Sequence, residues 1–208
     1  MNHMNKEQEV EKLIPTQFKN EEEWVAYYTN SHLSTDFNYR ESYLPYLVLD
    51  RLLEKYCLLE IGCGTAGYIK LLRNLEHFTG IDWSQKMVDA AKKLNPNHEF
   101  IRTLFKDYQT KKQFSAIIDF ATGMYDRPNQ MNIDKIFTLL EPLGVAVIAV
   151  RSHHIPTKEK VGDIVRGRKN LKISEQQMLH LCRKFKHLFK ISKKSGSLDI
   201  EVYFLQKP

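Results

Sequence analysis

Cysteine is scarce, with only Cys57, Cys63 and Cys182 among 208 residues. An odd number without CxxC spacing supports neither a disulfide framework nor a zinc site, and each thiol stands among apolar neighbours, where cysteine behaves as a small hydrophobe. Long hydrophobic runs are missing too. The most apolar stretch, Leu143 to Val150, is too short to cross a bilayer and reads as a buried strand, in a chain that is 27% charged with a mean hydropathy of −0.45. The opening MNHMNKEQEVEKL lacks the apolar centre of a secretion signal, so the expected location is cytoplasmic, with no membrane association. A large charge excess is also absent. The net charge of +6 admits an anionic partner, whether nucleic acid, phosphate or carboxylate, and it equally suits a solvated basic surface.

What is present is enough for one core, since 42% of the residues are hydrophobic and the length is that of a single α/β domain. Tyr43 to Lys55 predicts a helix, with Pro45 in its first turn and Leu44, Val48, Leu49, Leu52 and Leu53 on one side. LLEIGCGTAGYIKLL, Leu58 to Leu72, reads as a buried strand that runs into glycines and then a helix whose face continues through Ile69, Leu72 and Leu75. HFTGID predicts a second strand ending at Asp82. Ser84 caps the next helix, striped by Met87, Val88, Ala91 and Leu94, and the NPN turn at Asn95 stops it. Strands near Glu99–Thr103, Ser115–Phe120 and Val145–Val150, with a helix over Asn132–Leu140, extend the alternation. A capping box at Ser174 begins a last helix, and HLFKIS and LDIEVYFL, joined through Lys193 to Ser197, form a closing hairpin. The expected fold class is therefore α/β, a mostly parallel sheet covered on both faces.

GxGxxG followed about twenty residues later by Asp82 fits either a nicotinamide dinucleotide or S-adenosylmethionine. Three features separate them: Glu60 directly before the glycine turn, a long helical leader ahead of the glycine strand, and the terminal hairpin. Together they resemble the class I S-adenosylmethionine-dependent methyltransferase family, with LLEIGCGTAG as its E/D-x-G-x-G motif and GIDWS as its acidic strand end. The resemblance spans about Tyr43 to Lys207. It implies a three-layer, Rossmann-like, doubly wound sheet of seven strands in the order 3-2-1-4-5-7-6, the last strands forming an antiparallel hairpin. It implies a leader or lid over residues 1–42 and a cofactor-binding methyltransferase domain over 43–208.

Carried onto these residues, the family pattern implies that Gly62, Cys63 and Gly64 line the methionine part and ribose of S-adenosylmethionine. Asp82 takes the two ribose hydroxyls, as a bidentate carboxylate can, Trp83 flanks the adenine, and Glu60 orients the loop or the cofactor's ammonium. The third motif departs from the family: the acid often set against the adenine amino group falls at Leu104. Either Asp107 reaches the adenine from a shifted loop, or backbone groups of Leu104 and Phe105 hold it. Asp119 and Phe120 end the fourth strand, which borders the sulfonium in the family. The absence of NPPY counts against those base-amine methyltransferases that carry it.

Methyl transfer needs an aligned lone pair in a dry pocket, and a base where the acceptor must lose a proton. Asp119, His153 and His154 are the candidate bases, set at the carboxyl edge of the sheet where ligands of open α/β folds bind. Tyr125 and Arg127 lie in the connection after strand four and are candidate acceptor contacts, Arg127 for a carboxylate or phosphate. The leader's aromatics Tyr27, Tyr28, Phe37, Tyr39 and Tyr43 form a lid or pack on the core, with Tyr39 a candidate acceptor contact. Three functions follow: methylation of an oxygen or nitrogen of a small metabolite, methylation of RNA or protein through the basic segment 158–172, and cofactor binding without catalysis. Nucleic acid is the less favoured partner, no metal is expected, and the sequence leaves the acceptor and the oligomeric state open.

Overall fold

The computed structural model describes residues 44–120, 128–151, 173–195 and 198–208, together with residues 22, 23 and 26. Helix α1 (Leu44–Leu52) leads into β1 (Tyr56–Ile61), and β2 (Leu75–Asp82), α2 (Gln85–Leu94), β3 (Glu99–Arg102) and β4 (Phe114–Asp119) follow. Then come α3 (Gln130–Leu139), β5 (Leu140–Arg151), α4 (Glu175–Leu181), β6 (Lys186–Ser195) and β7 (Leu198–Gln206). The seven strands lie in the order β3-β2-β1-β4-β5-β7-β6, parallel as far as β5 and antiparallel in the β5–β7 and β7–β6 pairs. This is the fold the resemblance implied.

The central strands are apolar along their length because both faces are covered, as a parallel sheet requires. Leu58, Ile118, Val147 and Phe204 face one layer with Leu49 of α1 and Val88 and Ala91 of α2. Leu59, Ile117, Ile148 and Leu205 face the other, with Ile133 and Ile136 of α3, Met178 of α4 and Cys182 at its C-cap. The caps fall where the sequence puts them: Ser84 accepts from the Met87 N–H at 3.1 Å, and Ser174 and Gln177 close a reciprocal capping box.

Two expectations need correction. The helix predicted after the glycines is a single 3₁₀ turn, Ile69–Leu71, and the left-handed backbone there falls at Ala66 (φ 49°). With Ala66 already reversing the chain, only eight residues separate it from β2, too few for a packed α-helix and a return. Ile69 and Leu72 still bury their side chains, so the apolar spacing reports burial without an α-helix. The second correction concerns α1. Its buried face is Pro45, Tyr46, Leu49 and Asp50, whereas Leu44 and Leu52 are exposed. The two polar residues turn inward because each finds partners. Asp50 accepts the Tyr56 hydroxyl at 3.0 Å and the N–H groups of Arg73 and Asn74 at 3.0 and 2.9 Å. The two amides are donors that a helix in this crossover would have satisfied internally.

Candidate active site

The site forms where β2, β1 and β4 end side by side. Ile61 is in register with Ile81 on one neighbour and with Asp119 on the other, which brings Glu60, Asp82 and Asp119 to one edge. All three carboxylates are buried. Between them, Gly62 (φ 74°) and Gly64 (φ 54°) take the left-handed conformations that glycine adopts without strain. A methyl group placed on Gly64 would meet none of the described residues within 4 Å, so the loop borders open space among them.

Asp82 builds this loop directly. Its Oδ2 accepts the Gly64 N–H at 2.9 Å, and its Oδ1 accepts the Ser84 N–H at 2.9 Å. Cys63 fills the space beneath, its thiol pushed well up by burial and by the Asp82 and Glu60 charges, so it is an inert packing group. Gly80 makes room for it: a methyl there would stand 2.7 Å from the Cys63 sulfur and 2.8 Å from the Phe78 ring.

Glu60 lies under α1, and the Tyr46 hydroxyl donates to its Oε1. Its Oε2 is buried and has no hydrogen-bond partner among the described residues. Burial holds this carboxyl well above its ordinary range, the Tyr46 bond opposes that shift, and Asp82 adds to it. The Tyr46 ring lies 4.2 Å from that of Tyr68 and meets Phe120 edge-on at 5.1 Å. Tyr46 is the residue the sequence reading missed. Its signal was the spacing Tyr46, Leu49, Asp50, Leu53, one helical face that carries two polar groups.

On the other side of Asp82, Trp83 is half-buried and its carbonyl accepts from Arg102 Nε at 3.2 Å. Leu104 follows β3 with its side chain 39% exposed, Phe105 is buried, and Asp107 is exposed one turn further on. Lys135 of α3 holds this turn by donating to the carbonyls of Phe105 and Lys106 at 2.6 and 3.2 Å. The structure thus brings together Glu60, Gly62, Cys63, Gly64, Asp82, Asp119 and Phe120, with Trp83, Leu104 and Phe105 at the ends of the adjoining strands. Tyr39, Tyr125, Arg127, His153 and His154 lie outside the described residues.

These features fit S-adenosylmethionine. An unpartnered buried carboxylate oxygen suits its ammonium, the open glycine turn suits close backbone approach, and Trp83 and Leu104 offer apolar surface to a base. Among the described residues, no helix is long and apolar enough to cross a membrane.

A family model described as a methyltransferase domain matches residues 58–144. No curated protein sequence matches the chain. Among solved structures, N-methyltransferase NodS from Bradyrhizobium japonicum WM9, in complex with S-adenosyl-l-homocysteine, aligns over 97% of this chain and 97% of its own, at 17% identity and a TM-score of 0.68. TehB from Haemophilus influenzae aligns over 78% of this chain and 61% of its own, at 11% identity and a TM-score of 0.62. The [4+2]-cyclase SpnF aligns over 79% of this chain and 80% of its own, at 19% identity and a TM-score of 0.60. At such identities these likenesses establish the fold, and a cyclase among them shows that the fold alone does not set the reaction. The family match takes in the glycine turn and Asp82, so this part of the chain is similar to a methyltransferase domain.

Proposed function

We propose that the chain is a class I S-adenosylmethionine-dependent methyltransferase that methylates a nitrogen or oxygen of a small-molecule metabolite, and that an amine nitrogen is the favoured acceptor. The observation behind this reading is the row of buried carboxylates Glu60, Asp82 and Asp119 at one sheet edge. An edge of that sign attracts an ammonium-bearing acceptor and repels an anionic one. The NodS structure, which aligns along nearly the whole of both chains, is named as an N-methyltransferase, in agreement with a nitrogen acceptor.

Bound S-adenosylmethionine supplies an electrophilic methyl group on a positively charged sulfur. The chain's part is to orient and desolvate. In this reading Gly62 and Gly64 let the backbone approach the methionine and ribose, and Asp82 accepts the ribose hydroxyls. Trp83 and Leu104 flank the adenine, with Asp107 or the Leu104–Phe105 backbone at its polar edge, and Phe120 borders the sulfur. Asp119 hydrogen-bonds the acceptor nitrogen and aims its lone pair, while Asp119 or the His153–His154 pair takes the proton. Tyr39, Tyr125 and Arg127 complete the acceptor side. The leader covers this edge as a lid unit separate from the domain over 43–208; the contact between leader residue Glu22 and Lys86, in the first turn after Asp82, supports that placement.

The test is product detection by mass spectrometry after incubation with S-adenosylmethionine and separate panels of amines, hydroxy compounds, proteins and RNA. Methylated amine, with kcat/KM cut about a hundredfold by Asp119→Asn at nearly unchanged cofactor affinity, is the expected result. Activity confined to RNA, falling steeply with salt and dependent on the basic segment 158–172, would refute it.

A further inference from the structure

The two oxygens of Glu60 have unequal surroundings. Oε1 accepts the Tyr46 hydroxyl, and Oε2, equally buried, accepts nothing among the described residues. Buried carboxylate oxygens are nearly always paired, and one left over marks a place where a donor arrives from outside the fold. The donor's character follows from what surrounds the acid. Among the described residues, the groups that act on the Glu60 carboxyl are the Tyr46 hydroxyl of α1 and the Asp82 carboxylate of β2, with Cys63 of the glycine loop and Asp119 at the end of β4 close by, and none of these carries positive charge. The Tyr46 ring, whose hydroxyl reaches the acid, contacts the rings of Tyr68 and Phe120, and aromatic faces beside a carboxylate favour a cation.

We propose that Tyr46 is a positioning residue, whose hydroxyl holds one oxygen of Glu60 and so leaves the other as the acceptor for the cationic methionine end of the cofactor. The inference rests on the cofactor reading above and adds a residue from outside the glycine motif to it. Tyr46 reaches the acid from fourteen positions away along the chain, on a helix whose inward face is fixed by Leu49 and by Asp50 with its three donors. The hydroxyl is therefore delivered by a rigid element, which is what selects a single Glu60 rotamer.

Protons report on this arrangement. In the free enzyme, burial keeps Glu60 protonated over a window that begins near its ordinary value of 4.5 and extends upward. A cationic ligand end selects the ionised form, so binding releases a proton within that window and tightens as pH rises through it. Losing the Tyr46 hydroxyl removes a donor to the ionised form and moves the window higher.

The experiment is titration calorimetry of the full chain with S-adenosylhomocysteine, which keeps the ammonium and lacks the sulfonium, across a pH series and in buffers of different ionisation enthalpy. Tyr46→Phe keeps the ring contacts and is expected to weaken binding about tenfold and to shift the midpoint of the pH response upward. Glu60→Gln is expected to abolish the proton release, and Tyr46→Phe added to Glu60→Gln to cost nothing further. A fluorinated tyrosine in place of Tyr46, a stronger donor of the same shape, moves the midpoint downward and serves should Tyr46→Phe fail to fold. Wild-type affinity and midpoint in Tyr46→Phe, an unmoved midpoint with the fluorinated residue, or additive losses in the double mutant would overturn the proposal. Absence of binding by the wild-type chain would instead remove the cofactor reading, before any variant is compared.

Discussion

Replacing Asp82 with asparagine tests whether this acid shapes the glycine loop as well as meeting the cofactor. In the structure each carboxylate oxygen already accepts one backbone N–H, from Gly64 and from Ser84, both at 2.9 Å. Asparagine keeps one oxygen for Ser84 as a neutral acceptor and turns its amide N–H toward that of Gly64, donor against donor. One charge-assisted bond is lost, and two buried donors are left facing each other. With charged hydrogen bonds at about 1.5–3 kcal/mol and unsatisfied buried groups at about 1–3 kcal/mol, partial relaxation leaves a destabilisation of roughly 2–4 kcal/mol. For a domain of this size that lowers Tm by roughly 5 to 15 °C without ligand. Thermal unfolding followed by circular dichroism measures it, and calorimetry with S-adenosylhomocysteine should show at least about a tenfold loss of affinity. An unchanged Tm would refute the loop-building role, and unchanged affinity would remove Asp82 from the cofactor site.

Gly80→Ala places a methyl under 3.0 Å from Cys63, Phe78 and Phe100; it should cost about 1–3 kcal/mol in urea unfolding, and Cys63→Ala should return part of that. Asp50→Ala strands the Tyr56 hydroxyl and the Arg73 and Asn74 amides, and the same assay should show a loss of about 2–4 kcal/mol. Because the folded-state value of Glu60 is raised, the native state binds the extra proton above pH 4.5; its contribution to stability is full below that value and falls as pH rises toward the folded-state value. Wild type should therefore lose stability relative to Glu60→Gln across that window, by at most about 1.4 kcal/mol per pH unit, in paired denaturant titrations. Amide exchange in the leader, residues 21–43, should slow when cofactor and acceptor are added, and unchanged protection would assign that segment to static packing.

The strands were legible because their evidence is local, whereas their order came with the family resemblance. Runs such as LLEI and SAIID are apolar on both faces, and the acids that end them announce where the sheet meets its ligand. The same reasoning placed Glu60, Asp82 and Asp119 at one edge. What it missed are pairings across distance. Tyr46 meets Glu60 over 14 positions and Asp50 meets Asn74 over 24, and periodicity within α1 records only that some face is inward. An apolar stripe scores Leu44 and Leu52 as core and the two polar residues as surface, and the partners reverse that order. The spacing Ile69, Leu72, Leu75 likewise records burial along a chain that Ala66 has already turned, so it resembles a helix where the backbone forms only one 3₁₀ turn. Leu104 shows the opposite case: its departure from the family was visible, and the structure gives it an exposed apolar side chain beside the Asp82–Trp83 strand end.

The three acids at this edge do different work, and the hydrogen bonds separate two of the roles. Asp82 spends an oxygen on each of two backbone amides, so its charge is stabilised by the fold and in turn fixes the loop before any ligand arrives. Among the described residues Glu60 receives one phenol and no backbone amide, so its ionised form is stabilised poorly until a cation is present. In the proposed reading the first acid preorganises and the second recognises. Exchanging the environments would fail at both tasks: a Glu60 satisfied by amides would gain nothing from an ammonium, and an Asp82 left unpaired would let the turn at Gly62 and Gly64 relax. A methyl donor loses its positive charge as it reacts, so an enzyme that held that charge too firmly would stabilise the ground state. In the proposed reading Glu60 would bind the charge that persists, the ammonium, while Phe120 would border the sulfur and leave the charge that disappears to an aromatic ring.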